Sequence, residues 1–306
     1  MANKRIDDAT GAETVGHEWD GIEELNNPLP RWWVLTFYAT ILWAIGYMVV
    51  YPAIPMLSKG TEGLWGWSSR GQLAQEMKAE SARQAPIMAA LANIPIEQLP
   101  QDKARMAQAI AGGKAAFKVN CVQCHGAGAA GSPGFPNLAD DDWLWGGDLK
   151  TIETTLTHGI RHPGDDQTRN SAMPAFGRDA LLTPAQTGDV VSYVRTLSGK
   201  EKPGAPSQRG ATVFAEQCTI CHGPAGKGDR KLGAPNLTDA IWLYGGSRAA
   251  IQNQVTNAAH GVMPAWGGKL DPVTIKMLAA YVHSLGGGED FVEVAENPAV
   301  KVNEQP

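Results

Sequence analysis

Cys121-Val-Gln-Cys124-His125 and Cys218-Thr-Ile-Cys221-His222 are two copies of one string, C-x-x-C-H. Two thiols so spaced can bond the two vinyl groups of a single porphyrin, and the histidine that follows is then held beneath the iron. The chain has 306 residues and four cysteines, so every thiol belongs to one of the two strings. The reading is two covalently bound haem c groups, with iron held from below by His125 and His222. Other uses of the thiols fit less well. A four-cysteine zinc site keeps its two pairs within about 15–20 residues, whereas Cys121 and Cys218 are 97 apart. A thioredoxin-like pair needs a βαβ setting, and none is visible.

Both strings sit in longer, matching frames. The first runs Gly113, Phe117, the haem string, Pro136-Asn137-Leu138, Trp143-Leu144, Gly146-Gly147 and Met173-Pro174-Ala175-Phe176-Gly177. The second runs Gly210, Phe214, the haem string, Pro235-Asn236-Leu237, Trp242-Leu243, Gly245-Gly246 and Met263-Pro264-Ala265-Trp266-Gly267. Order and spacing agree apart from extra residues before Met173, which marks a duplicated structural unit. Each unit has roughly 90 residues, enough for a small domain, and a porphyrin would supply apolar core that so short a chain lacks.

Haem iron takes an axial ligand on each face, and a thioether opposite histidine raises the reduction potential. Met173 and Met263 fill that role in matching loops, each fixed by the proline that follows. His158, His162 and His260 are the competing ligands; His158 and His260 fall at aligned His-Gly positions and read better as polar loop residues near a haem edge. Which methionine serves which iron does not follow from the residues. His125 could pair with Met173 and His222 with Met263, or two packed units could exchange their methionine loops. Trp143, Trp145, Phe176, Trp242 and Trp266 are candidates to wall the haems from water.

The elements that position these residues read as helices. Gln72–Ala90 is helical with a break expected at Pro86. Gln101–Asn120 leads into the first haem string, and Gln208–Gln217 into the second. Thr183-Pro184 to Leu197 and Asp271-Pro272 to Leu285 each open on an N-cap and a first-turn proline. No strand-rich stretch appears, so the soluble part is all-α. Residues 1–30 read as an acidic segment, loose to about Asp20. From Trp32 to Leu57 no residue is charged; these 26 positions would make a helix of roughly 39 Å against a hydrocarbon core of about 30 Å. The run is too long and too late for a cleaved signal peptide, so it reads as one transmembrane helix. Haem is attached to such strings outside the cytoplasm, which places the N-terminus in the cytoplasm and the rest in the periplasm.

The net charge is -5 and the pI about 5.8. That disfavours nucleic acid as a partner and suits steering of a basic redox protein. Asp140-Asp141-Asp142 and Asp165-Asp166 are candidate pieces of that face.

The stretch Trp19-Asp20-Gly21-Ile22-Glu23-Glu24-Leu25-Asn26-Asn27-Pro28-Leu29-Pro30-Arg31-Trp32-Trp33, the single span and the two haem units follow one another in order. From 19 to 285 the chain resembles the dihaem subunit III of cbb3-type cytochrome c oxidase. The resemblance implies a cytoplasmic segment (1–30), a transmembrane helix (31–57), a connector (58–105), tandem class I cytochrome c domains (106–199 and 200–290) and a tail (291–306). It implies a bacterial inner-membrane subunit of a proton-pumping terminal oxidase, with no catalytic centre of its own. Electrons would come from a soluble periplasmic cytochrome c and leave through a monohaem subunit toward a haem–copper subunit. It also implies exchanged ligation, Met173 on the second haem and Met263 on the first. A free-standing dihaem carrier and a dihaem peroxidase are the rivals; the peroxidase requires an iron with an open sixth position.

Overall fold

A computed structural model describes residues 4–291, in two units: one up to Gln84 and one from Ala85 onward. The first unit begins with an antiparallel hairpin, β1 (Thr14–Trp19) and β2 (Ile22–Leu25). Trp19 pairs with Ile22, and the turn residues Asp20 and Gly21 have φ of 50° and 83°. That is the signature of a primed two-residue turn, for which Asp-Gly is a preferred pair. The segment read as loose is therefore a strand, and Asp-Gly was the sign of it. Arg5 ties the hairpin by an ion pair to Glu23.

Helix α1 (Arg31–Val50) buries none of its side chains within the chain. Its 20 residues give about 30 Å of helix, the thickness of a hydrocarbon core. It is shorter than the uncharged run because Pro52 and Pro55 cannot continue it. Tyr51 onward turns back: the Leu64 and Trp65 amides donate to the Val49 and Val50 carbonyls at 3.0 and 3.3 Å. The edges of Trp65 and Trp67 meet the Tyr51 ring at 5.2 and 5.6 Å. Two orphan carbonyls of the helix end are thus satisfied beneath an aromatic cluster of the kind found at membrane interfaces.

Helix α2 (Ser69–Asn93) runs through Pro86 without the expected break. The residues around it, Ser81 to Pro86, are exposed, so water can take the carbonyl the proline leaves unbonded.

The second unit repeats four helices. α3 (Lys103–Asn120), α4 (Val122–His125), α5 (Leu149–His158) and α6 (Pro184–Leu197) are followed by α7 (Ala205–Gln217), α8 (Thr219–His222), α9 (Arg248–Asn257) and α10 (Pro272–His283). Asp102, Asp148, Thr183, Ser247 and Asp271 each cap their helix through a side-chain oxygen, as the N-cap rule requires.

The packing does not follow chain order. The last helix, α10, crosses α3, where Gly113 lets the Met277 carbonyl approach and Phe117 meets Tyr281 edge-on at 5.3 Å. α6 crosses α7 in the same way, with Gly210 against the Asp189 carbonyl and Phe214 against Tyr193 at 5.2 Å. Each repeat thus lends its closing helix to the other. The segments beyond those helices go with them: Trp143 donates to the Gly287 carbonyl, and Lys200 lies 4.8 Å over the Trp242 ring.

The latter part of the connector belongs to this core. Leu91, Ile96 and Leu99 are fully buried with Phe117, Leu149 and Leu278. Lys276 on α10 is buried, and its ammonium donates to the Leu91 and Ile94 carbonyls at 2.8 and 2.6 Å. Replacing Lys276 with methionine keeps the bulk but strands both carbonyls. It should cost about 2–3 kcal/mol, the order of hydrogen bonds to a charged group, read as a lower thermal midpoint with unchanged haem content.

Candidate functional site

Helix α3 ends on Cys121, α4 carries Cys124 and His125, and Gly126 turns the chain out with a φ of 78°. The second copy has the same build, with Cys218 as the cap of α8 and Gly223 at 70°. One short turn thus presents both thiols and the imidazole together. His125 Nδ1 lies 3.1 Å from the Pro136 carbonyl, and His222 Nδ1 lies 3.1 Å from the Pro235 carbonyl. A carbonyl only accepts, so Nδ1 carries the proton and Nε2 is left bare with its lone pair available. Burial pushes both imidazoles below the usual histidine range, which keeps them neutral, the form that binds a metal. Burial and the neighbouring thiol push Cys121 and Cys218 up to about 11. Cys121 is buried and Cys218 half-buried, and both are favoured as neutral thiols.

The methionine loops lie across from these strings in the exchanged order. Met263 and Ile160 exchange two backbone hydrogen bonds at 3.0 Å, and Trp266 and Gly267 donate to the Leu156 and Thr157 carbonyls at the end of α5. Met263 packs on the core of Phe117 and Cys121. In the mirror arrangement, Arg178 just after the Met173 loop donates to the Thr256 carbonyl at the end of α9. Met173 packs on the core of Phe214 with Cys218.

A cavity of ≈ 640 Å³ shows what this arrangement can hold. Cys218, Cys221 and His222 stand on one side, Met173, Pro174 and Phe176 also line it, and Trp242, Val190 and Ile251 are among its apolar walls. Thiols, a bare imidazole and a thioether around an apolar slot fit a haem c. Trp145 and Phe176 are buried, and of these aromatics Phe176 and Trp242 line the cavity; Trp143 and Trp266 pack on one core and Trp242 on the other.

Of the competing histidines, only His158 has a side-chain partner for its ring among the described residues. His158 is bound to Asp165 at 3.0 Å. His162 is tied into its loop through its amide, which donates to Thr168 Oγ1. His260 lines the cavity with Met173, and burial and the Arg161 charge hold it below its usual range. The acidic runs are also partly used. Asp140 and Asp142 line the cavity, and burial, with Asp239 and Asp140 close by, pushes Asp142 up to about 6. Asp141 and Asp166 remain exposed.

Sequence reasoning missed Lys276, Arg161 and Arg169. The two arginines stand in the stretch noted only as extra residues before Met173.

Paired thiols, a bare imidazole and aromatic side chains around an apolar cavity define a c-type cytochrome, here carried behind a helix long and apolar enough to cross a membrane. Comparison with known proteins narrows the class. Residues 11–58 match the N-terminal domain of cytochrome oxidase-cbb3, FixP, residues 110–198 match cytochrome c, and residues 205–282 match cytochrome C oxidase, cbb3-type, subunit III. The cbb3-type cytochrome c oxidase subunit CcoP of Cereibacter sphaeroides is 52% identical over 276 residues, 90% of this chain and 95% of the relative. The subunit FixP of Azorhizobium caulinodans is 52% identical over 93% of this chain and 96% of its own length. The subunit FixPc of Rhizobium leguminosarum bv. viciae is 51% identical over 94% and 100%. The chain belongs to the subunit III family of cbb3-type cytochrome c oxidases. It is a membrane-anchored electron-transfer subunit of that oxidoreductase complex, binds haem c covalently, and assembles with other oxidase subunits.

Proposed function

We propose that the chain carries two haem c groups and relays electrons from a periplasmic cytochrome c to the monohaem subunit, and so toward the haem–copper subunit. Haem c supplies reversible one-electron chemistry at iron; the chain supplies position, ligands and dielectric. Cys121 and Cys124 anchor the first group and Cys218 and Cys221 the second. His125 and Met263 ligate the first iron, and His222 and Met173 the second. The observation that carries this pairing is the hydrogen bonding of each methionine loop to the helix end of the other repeat, at Ile160 and Thr157 and at Thr256. The haem units are therefore interleaved. The 106–199 and 200–290 segments each keep their own C-x-x-C-H string and lend a methionine loop and a closing helix. The two aromatic and aliphatic cores keep water from both irons, and with methionine as ligand this favours the ferrous state. The membrane is the bacterial inner membrane, crossed once, with the N-terminus in the cytoplasm and both haem units in the periplasm.

The test is the chain purified in mild detergent from a host that attaches haem c. Two low-spin haems per polypeptide, each with a methionine–iron charge-transfer band, and copurification of a haem–copper polypeptide are expected. One haem per chain, or a high-spin ferrous haem that binds carbon monoxide, would refute the relay.

A further inference from the structure

The two repeats differ most where Met173 follows His158 at fifteen residues while Met263 follows His260 at three. The additional loop carries Arg161 and Arg169, each half-buried. Eight other arginines pair with carboxylates and Arg31 and Arg70 are exposed, so among the described residues these two are the half-buried arginines with no carboxylate in ion-pair reach. Arg161 is aimed by carbonyls alone: Nε donates to Gly261 and Nη1 to Ser171, at 2.7 and 2.8 Å. Arg169 lies 5.1 Å over the Trp145 ring, and its Nε is buried with no partner. Carbonyls orient a guanidinium but do not neutralise it, and an unpaired buried charge is costly. Neither has a carboxylate within ion-pair distance among the described residues; Arg169 donates to the Thr151 carbonyl at 3.5 Å and feels the Asp148 charge only from farther away.

The duplication says where that anion comes from. Trp145 and Tyr244 are matching residues, third in Trp-Leu-Trp-Gly-Gly and Trp-Leu-Tyr-Gly-Gly. Tyr244 and Arg161 both line the cavity that holds Cys218, His222 and Met173. Arg169 stacks over Trp145, and Arg161 shares its cavity with Tyr244, the matching aromatic of the other repeat. The two aromatics also match in what they meet, Trp145 packing on Gly233 and Tyr244 approaching Gly134. The loop is rigid. The Arg161 amide donates to the Arg169 carbonyl at 2.9 Å, the Arg169 amide to the Gly159 carbonyl at 3.3 Å, and Asp165 is tied to His158.

We propose that this loop is a two-armed carboxylate clamp, Arg161 binding the propionates of the second haem and Arg169 those of the first. Porphyrin carboxylates would supply the direct ion-pair partner that neither arginine has among the described residues, and a planar guanidinium binds a carboxylate by two parallel hydrogen bonds. Each arginine then places a positive charge beside one iron centre. Reduction removes one positive charge from that centre, so a nearby cation favours it. The clamp rests on the dihaem reading above.

The experiment is spectroelectrochemical titration of the full haem-loaded chain and of Arg161→Gln, Arg161→Lys, Arg169→Gln and Arg169→Lys. The two redox waves are assigned by comparison with variants that lose one C-x-x-C-H string, which identify each haem without reference to its methionine. Arg161→Gln should disfavour reduction of the Cys218–Cys221 haem about tenfold, or about 59 mV for one electron, and leave the other wave in place. Arg169→Gln should do the reverse, and both lysine variants should keep most of the native value. Glutamine variants with two low-spin haems and unmoved waves would overturn the clamp while leaving the relay intact. So would lysine variants that shift as far as glutamine, since packing and not charge would then be responsible. A native chain without two methionine-ligated haems would instead remove the reading on which it rests.

Discussion

Replacing Met173 with histidine lowers the reduction potential of the haem bonded to Cys218 and Cys221, and leaves the Cys121–Cys124 haem within error of native. Thioether sulfur stabilises ferrous iron relative to imidazole, and the identity of the axial ligand spans ≈ 0.8 V across haem proteins. A shift on the order of 0.2 V is expected for one such exchange. In chain order Met173 follows the first C-x-x-C-H string, yet the residues alone leave both haems open, and only the resemblance points to the second. The structure sets Met173 in the core of Phe214 and Cys218, and in the cavity that also holds His222. Titrating Met173→His beside variants of one C-x-x-C-H string assigns the moved wave. A shift of the Cys121–Cys124 haem would defeat the exchanged pairing. Retention of the full methionine charge-transfer band with both potentials unchanged would defeat ligation by Met173 altogether.

Much of the site was legible because covalent chemistry fixes its spacing. Two vinyl groups on one porphyrin demand the separation of Cys121 from Cys124, and the imidazole must follow at once. The helices that carry these strings were legible for a related reason: Thr183-Pro184 and Asp271-Pro272 are start signals that hold whatever the helix later packs against. Partner choice was not legible. Gly113 and Phe117 on α3 match Gly210 and Phe214 on α7, while Tyr193 on α6 matches Tyr281 on α10. The crossing residues of the two closing helices match, so they do not by themselves select the partner; Lys276 on α10, which binds the Leu91 and Ile94 carbonyls, is one contact that distinguishes them. The same duplication hid the arginine loop, which interrupts the alignment without resembling a motif. Asp20-Gly21 was readable as a hairpin turn, and went unread because the residues around it are acidic and lack an apolar alternation.

Cutting the chain at the boundary suggested by the repeats separates the two pictures most sharply. A fragment of residues 103–200 contains Cys121, Cys124, His125 and Met173, a complete set by chain order. It lacks α10, and with it Ile275 and Leu278 from the core around Phe117, and it lacks Met263. A fragment of residues 170–262 contains Met173, α6, α7, the second string and α9, which is everything that packs on Phe214. Exported behind a signal peptide with the haem-attachment machinery present, the 170–262 fragment should accumulate as a low-spin cytochrome with a methionine charge-transfer band. The 103–200 fragment should be degraded or lack that band, since uncovering two or more large core side chains costs several kcal/mol against a total stability of about 5–15 kcal/mol. Supplying residues 263–291 in trans should not rescue it at low concentration, because association then carries an entropy cost that the intact chain avoids. A stable, methionine-ligated 103–200 fragment would show that the repeats fold as sequential domains and that the interleaved packing of α3 with α10 is not required for haem binding.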